Sequence, residues 1–323
     1  MFNYRKNVEG EAPIHFSLQY GVEIELFEEP LTKDNYLKTT GYEALSIVGG
    51  SKLDRELLGL LKKNGVRYIN TRSIGYDHID VDAAQSLGIR ISNNTYSVSS
   101  VADFAITLML MTTRKVKTML DKAVSQHYDM EGVKGVELHN LTVGVIGTGK
   151  IGQTVIKRLS GFDAKILAYD VYQNDFTKQY ATYVDLDTLY QEADMITLHV
   201  PATKETYHMI NQESIAKMKD GVIIINTARG DLIDSKALLE GLLSRKVGSA
   251  GLDVLEGEQQ FFKLPDPYAV VNNPIYYAYR NLPNVILTPH KAFLTDQAAD
   301  DMVENSIVIL KDMMEGKVSP FEI

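Results

Sequence analysis

The sequence predicts an α/β protein of two lobes, each a doubly wound parallel sheet with helices on its faces. Three observations predict it. Short apolar runs of strand length alternate with amphipathic helical segments along almost the whole chain, the pattern of parallel sheets with right-handed crossovers. The alternation runs once over residues 44–93 and restarts at Leu141. The restart carries a glycine-rich turn, VGVIGTGKIG (143–152), between a strand and a helix. A length of 323 residues suits two domains.

In the first half, ALSIVGG (44–50) reads as a buried strand. DRELLGLLKKNG (54–65) follows as a helix with Leu57, Leu58 and Leu61 on one face and Gly65 as its stop. VRYINTRS (66–73) is a strand, VDAAQSLG (81–88) a short helix and IRISN (89–93) another strand. The beginning is weaker. Only MFNY precedes charged residues, so the first strand is expected to be short or to start late.

Residues 97–124, SVSSVADFAITLMLMTTRKVKTMLDKAV, contain no Gly or Pro and begin with serines suited to capping. They predict one helix of about 25 residues, nearly 40 Å long and able to pass between lobes. Its apolar stretch FAITLMLM is short and flanked by charge, which fits a core or a dimer face. Beyond it, LTVGVIG, AKILAYD, MITLHVP (195–201), GVIIINTARG (221–230), SAGLDVL (249–255) and NVILTPH (284–290) read as strands, with GQTVIKRLSGF as a helix. Uninterrupted apolar runs of this length suit parallel strands covered on both faces.

Composition narrows the function. The net charge is -9 with no dense lysine or arginine cluster, which excludes a nucleic-acid surface. There is no cysteine, which excludes disulfides, thiolate metal ligands and a cysteine nucleophile. No metal site is expected. No run approaches the roughly 18 apolar residues of a membrane span. A soluble, cytoplasmic protein is the expectation.

Gly147, Gly149 and Gly152, with Lys150 and Ile151 between them, make G-x-G-x-x-G. The pattern alone is weak, since glycines recur in ordinary turns. Its setting strengthens it: a strand precedes it, a helix follows, and Asp170 ends the next strand. That is the arrangement in which phosphates meet the helix start and an acid accepts from a ribose hydroxyl. Asp170 favours NAD(H) over NADP, because it would repel a 2′-phosphate.

Three more polar residues stand at or just past predicted strand ends: Arg229, Glu258 and His290. Ligands of open α/β sheets bind outside the carboxyl ends of the strands. A guanidinium grips a carboxylate with two hydrogen bonds. A histidine delivers the proton that a carbonyl oxygen needs as hydride reaches carbon, and a carboxylate beside it holds its tautomer. Taken singly, each has an ordinary reading as a surface ion pair, a solvated turn or a loop hydrogen-bonder. Their shared position beside a dinucleotide turn favours the functional one.

VGVIGTGKIG, LHVP, INTARGDLID, GLDVLEGE and NVILTPH occur in the order and spacing of the D-specific 2-hydroxyacid dehydrogenases. The chain resembles that family over nearly its whole length. TRSIGYDHID (71–80), SVADF and EGEQQFF are most similar to its D-lactate branch. That branch includes fermentative D-lactate dehydrogenases, D-2-hydroxyisocaproate enzymes and the lactate-making enzyme of vancomycin-resistance operons. The resemblance implies a Rossmann-like NAD domain, residues 97–292, inserted into a flavodoxin-like substrate domain of residues 1–96 and 293–323. It also implies a homodimer.

Position by position, the resemblance makes His290 the general acid/base and Glu258 its partner. Arg229 binds the substrate's carboxylate and carbonyl. Asp253 contacts the nicotinamide carboxamide, and His199, Val200 and Pro201 lie beside adenine and ribose. Thr227 and Ala228 also face the cofactor. Ile74 and Gly75 hold the substrate carboxylate, and Tyr96 lies near the substrate. His199 ends an apolar strand, which gives it a structural role rather than a catalytic one.

The implied reaction is NADH-dependent reduction of a 2-oxo acid, pyruvate first, to the D-hydroxy acid. Val48 and Gly49 are small where some pyruvate-preferring members carry an aromatic residue, so bulkier acids of the 2-oxoisocaproate or phenylpyruvate kind are the alternative. A non-enzymatic NAD sensor like the corepressors of this fold is a further one. Glu258 stands where formate dehydrogenases have glutamine. Only 33 residues follow His290, too few for the regulatory domain of many phosphoglycerate dehydrogenases.

Overall fold

The computed structural model describes residues 1–260, 262 and 270–323. Phe261 of the EGEQQFF motif lies outside the described residues. The chain divides into two compact units, Met1–Ser97 with Leu294–Ile323, and Val98–Phe293.

The first unit holds five parallel strands: β1 (Phe2–Asn3), β2 (Leu26–Phe27), β3 (Ala44–Ile47), β4 (Tyr68–Thr71) and β5 (Arg90–Ser92), in the order β2-β1-β3-β4-β5. The weak opening segment is a real strand of two residues, flanked on both sides. Tertiary contacts hold it where an apolar run is missing. Phe2 is buried beneath the guanidinium of Arg72, 4.1 Å from its ring centroid. The side-chain amide of Asn3 donates to the carbonyls of Phe27 and Glu29 at 3.0 and 2.8 Å. Arg72 is itself buried and pairs with buried Glu9 at 3.0 Å. Burial pulls its pKa down to about 10, which leaves it charged at neutral pH.

The helix Arg55–Lys63 starts at Asp54, whose carboxylate accepts from the N–H of Leu57 at 2.9 Å. It buries Leu57, Leu58 and Leu61 and ends before Gly65 at φ +100°. The helix Val81–Ser86 is capped in the same way by Asp80. The final helix, Asp296–Met314, packs Val303 and Ile307 on Phe2, and Ile309, Leu310 and Met313 on Tyr68.

The second unit holds seven parallel strands: β6 (Thr142–Ile146), β7 (Lys165–Tyr169), β8 (Thr182–Tyr183), β9 (Met195–Leu198), β10 (Val222–Asn226), β11 (Val247–Leu252) and β12 (Val285–Leu287). Their order is β12-β11-β10-β9-β6-β7-β8. Chain order reverses between β6 and β9, the place where such sheets bind ligands. Successive residues feed the two faces in turn. Ile196 and Leu198 pack into one core with Ile224, while Met195 enters the other with Val143, Val145 and Ile225.

The single helix expected over 97–124 is two helices, Ser99–Thr113 and Val116–Val124. The break falls at Lys115, which takes a left-handed φ of +50°. The cause is non-local. The Thr113 carbonyl, needed to continue the helix, accepts instead from Val136 N–H at 3.0 Å. Thr112 and Thr113 also bond back to the carbonyls of Leu108 and Met109 at 2.8 Å each, a habit that bends helices. The N-cap position is Val98, with no side-chain cap bond, rather than a serine. The apolar stretch is core: Ala105, Ile106, Leu108 and Met109 are buried. Among the described residues, no helix is long and apolar enough to cross a membrane.

Gly144 faces the other core, that of Ile196, Leu198 and Ile224, at close quarters. A Cβ there would lie 2.6 Å from Leu189 Cδ2 and 3.1 Å from Ala193 Cβ. Gly144→Ala is expected to destabilise the second unit by about 1–3 kcal/mol through overpacking. Denaturant melts of the two proteins measure it, and an unchanged midpoint contradicts it.

Candidate active site

The glycine-rich turn leaves the carboxyl end of β6 and opens the helix Lys150–Ser160, with Gly149 as N-cap. Each glycine meets a different constraint. Gly147 sits at φ +96°, and a Cβ there would approach the His199 carbonyl carbon to 2.6 Å. A Cβ on Gly152 would stand 1.9 Å from the carbonyl oxygen of Gly147. Gly149 faces open space, with nothing within 4 Å of a Cβ position. The turn is therefore closed on the protein side by Gly147 and Gly152 and open at Gly149. The first-turn N–H groups, those of Lys150, Ile151 and Gly152, have no partners within the helix. Open backbone at a helix start is what a pyrophosphate requires, so these residues fit a dinucleotide.

Asp170 follows β7 directly. Its Oδ2 accepts from the Thr148 N–H at 2.6 Å and its Oδ1 from the Tyr172 N–H at 2.9 Å. This ties the acid to the turn itself. Sequence reasoning missed the rest of the tie. The Thr148 hydroxyl lies 2.7 Å from that of Tyr183, and the Asn174 amide donates to the Thr148 carbonyl at 3.0 Å. Only the place of Thr148 between two motif glycines hinted at this; Asn174 and Tyr183 gave no local signal.

His199 follows β9, and its backbone N–H donates to Ile146 at 2.7 Å. Its Nε2 is 2.9 Å from the Thr197 hydroxyl. Burial pushes its pKa down to about 4, which leaves it neutral at physiological pH. Val200 is half-buried and Pro201 exposed.

Past β10, Asn226 organises the next turn. Its side chain accepts from the Ala228 N–H at 2.9 Å and donates to the Arg229 carbonyl at 2.8 Å. Thr227 is buried, and its hydroxyl has no protein partner. Arg229 is half-buried, with Nη1 donating to the Ala228 carbonyl at 2.7 Å. The following Gly230 lies directly on the Leu255–Glu256 backbone; a Cβ there would be 2.2 Å from the Leu255 carbonyl carbon. The Arg229 turn and the Glu258 turn are therefore stacked on each other.

His290 and Glu258 are brought together. His290 Nδ1 is hydrogen-bonded to Glu258 Oε1. The other carboxylate oxygen accepts from the Leu255 N–H at 3.0 Å. A carboxylate on Nδ1 fixes the imidazole's orientation and assigns proton exchange to Nε2. His290 takes a left-handed φ of +54°, and Asp253 holds it there. The Asp253 carbonyl accepts from the His290 N–H at 2.7 Å. The fully buried Asp253 carboxylate accepts from the Thr288 hydroxyl at 2.6 Å and from the N–H groups of Lys291 and Ala292 at 2.9 and 2.8 Å. Resemblance put Asp253 at the nicotinamide; the structure shows that it also ties down the loop carrying His290.

Ile74, Gly75 and Tyr96 belong to the first unit. Their loop is ordered locally. The Ser73 hydroxyl donates to the Gly75 carbonyl at 2.7 Å, and the Asn93 amide donates to that of Ile74 at 2.8 Å. Tyr96 is half-buried.

Comparison with known proteins gives this geometry a family. Residues 106–292 match the D-isomer specific 2-hydroxyacid dehydrogenase, NAD binding domain. An aromatic 2-oxoacid reductase of Clostridium sporogenes is 43% identical over 300 residues, covering 92% of this chain and 91% of that protein. The D-lactate dehydrogenase of Escherichia coli is 36% identical, covering 94% and 93%. Among solved structures, the Aquifex aeolicus D-lactate dehydrogenase complexed with NAD and lactic acid superposes with a TM-score of 0.88. It is 33% identical, and the match covers 98% of this chain and 95% of that one.

The His199 shift carries a pH prediction. The unfolded imidazole titrates near its ordinary 6.5 and the folded one at about 4. Between those values the unfolded chain binds the extra proton, so stability falls as pH drops through that window and levels off below it. His199→Gln is expected to lose less stability than wild type between pH ~6.5 and ~4, as read by urea midpoints. Equal losses in both proteins contradict the assignment.

Proposed function

The chain belongs to the D-isomer specific 2-hydroxyacid dehydrogenase family, and we propose that its reaction is the reduction of pyruvate to D-lactate, run reversibly with NAD(H). It is an NAD-dependent oxidoreductase with a Rossmann NAD-binding domain. The observation that carries the reading is the His290–Glu258 hydrogen bond, stacked through Gly230 against the Arg229 turn. NADH, when bound, supplies the hydride.

The chain's own residues do the rest. Arg229 grips the acid's carboxylate with its planar fork. His290 Nε2 gives its proton to the carbonyl oxygen as that oxygen gains charge, and Glu258 steadies the imidazole throughout. The first unit serves as the substrate-binding domain, with Ile74, Gly75 and Tyr96 assigned to the acid by resemblance. Gly147, Gly149, Lys150, Ile151, Gly152 and Asp170 take the cofactor, with His199, Val200, Pro201, Thr227, Ala228 and Asp253 around it.

A second reading keeps the chemistry and changes the side chain of the substrate. A relative named for aromatic 2-oxo acids shares 43% of the aligned residues, and Val48 and Gly49, just past β3, are small. Initial rates with pyruvate, 2-oxoisocaproate and phenylpyruvate at fixed NADH decide between the two. Highest kcat/KM with pyruvate supports the first reading, and with phenylpyruvate the second.

A homodimer is part of the proposal. The helix Val116–Val124 and the segment after it expose Leu120, Val124, Tyr128 and Met130, an apolar surface suited to a second copy. A monomer by sedimentation at micromolar concentration contradicts it.

His290→Ala is expected to lower kcat by roughly 10²–10⁴-fold while NADH still binds. Arg229→Lys is expected to lower kcat/KM about as severely, because an ammonium lacks the bidentate fork. Unchanged turnover in His290→Ala contradicts the mechanism.

A further inference from the structure

A second histidine–glutamate pair involves the same turn as the first. His208 Nε2 is 2.7 Å from Glu256 Oε1, and both side chains are half-buried. The other oxygen of Glu256 accepts from the Ser235 N–H, at the start of the helix Ser235–Leu243, at 3.3 Å. We infer that His208 and Glu256 are positioning residues for the reaction, bracing the Leu255–Glu258 turn so that the Glu258 carboxylate stays aligned on His290. The inference rests on the dehydrogenase reading and deepens it.

Three observations support it. Glu258 Oε2 leans on the N–H of Leu255, the residue adjoining Glu256. Any drift of that backbone therefore reaches the carboxylate that orients His290. Gly230 presses on the same Leu255–Glu256 backbone from the Arg229 side. Glu256 thus anchors the place where both functional turns meet.

The third observation is strain. His208 sits at φ +50°, a left-handed conformation that non-glycine residues seldom adopt. It is held by several partners at once. Its N–H donates to the Asp231 carbonyl at 2.9 Å, its carbonyl accepts from the Asn211 amide at 2.9 Å, and Tyr207 stacks on its ring at 3.9 Å. A surface ion pair needs no such support. Strain kept by over-determined surroundings is a mark of functional positions.

The test uses the full chain and the 2-oxo acid that it reduces fastest. Glu256→Ala is expected to lower kcat about 10- to 100-fold with NADH affinity within about twofold, as expected of a misplaced catalytic group. Glu256→Gln keeps an acceptor for His208 and is expected to recover most of the loss. His208→Asn tolerates the left-handed backbone, removes the pair, and carries the same expectation if Glu256→Ala does not fold. In a Glu258→Gln background, Glu256→Ala is expected to add less than about twofold, because its effect runs through Glu258. Wild-type kcat in Glu256→Ala or His208→Asn overturns the inference, as does an undiminished effect in the Glu258→Gln background. No turnover by the wild-type chain with any 2-oxo acid overturns the dehydrogenase reading and this inference with it. Normal wild-type turnover with unaffected variants overturns this inference alone.

Discussion

The hydrogen bond between Glu258 and His290 is the constraint on which the rest of the site depends. An imidazole on a loop turns freely unless something holds Nδ1. Here the holder is a carboxylate whose second oxygen is tied to backbone at Leu255. The loop that carries His290 is tied in turn to Asp253, fully buried at the end of β11. Strand, turn, carboxylate and imidazole form one chain of short contacts from the sheet to Nε2. Preorganisation of this kind lets a proton donor act with little reorganisation at the moment of reaction.

The cofactor side obeys the same logic. Gly147 and Gly152 allow backbone to approach backbone where a Cβ would collide, and Gly149 leaves space in front of the helix start. Asp170 is held by the N–H of Thr148, so the acid and the turn move as a unit. Both sets of residues issue from the carboxyl ends of parallel strands. A single sheet thus orders groups far apart in sequence, from Gly147 to His290.

Much of this was legible because the signals are local. A glycine-rich turn between a strand and a helix, an acid after the next strand, and Arg229 and His290 at strand ends can all be read along the chain. What escaped depends on distant partners. β1 has no apolar run, and it exists because Arg72 covers Phe2 and Asn3 bridges to Phe27 and Glu29. The long helix breaks at Lys115 because Val136 claims the Thr113 carbonyl, and residues 97–124 do not contain that fact. Asn174 and Tyr183 join the cofactor turn only through the fold, as His208 and Glu256 join the Glu258 turn. Asp253 was read from resemblance as a cofactor contact; its hold on the His290 loop appears only in three dimensions.

The central claim is that His290 Nε2 delivers the proton while Arg229 grips the carboxylate. A crystal structure of the chain with NADH and oxamate, an unreactive analogue of pyruvate, tests it most directly. The account predicts Nε2 within about 3 Å of the oxygen that stands for the substrate carbonyl, with the Arg229 fork on the carboxylate and Glu258 still on Nδ1. A bound analogue whose carbonyl oxygen meets another donor, with His290 turned away from it, would contradict the account.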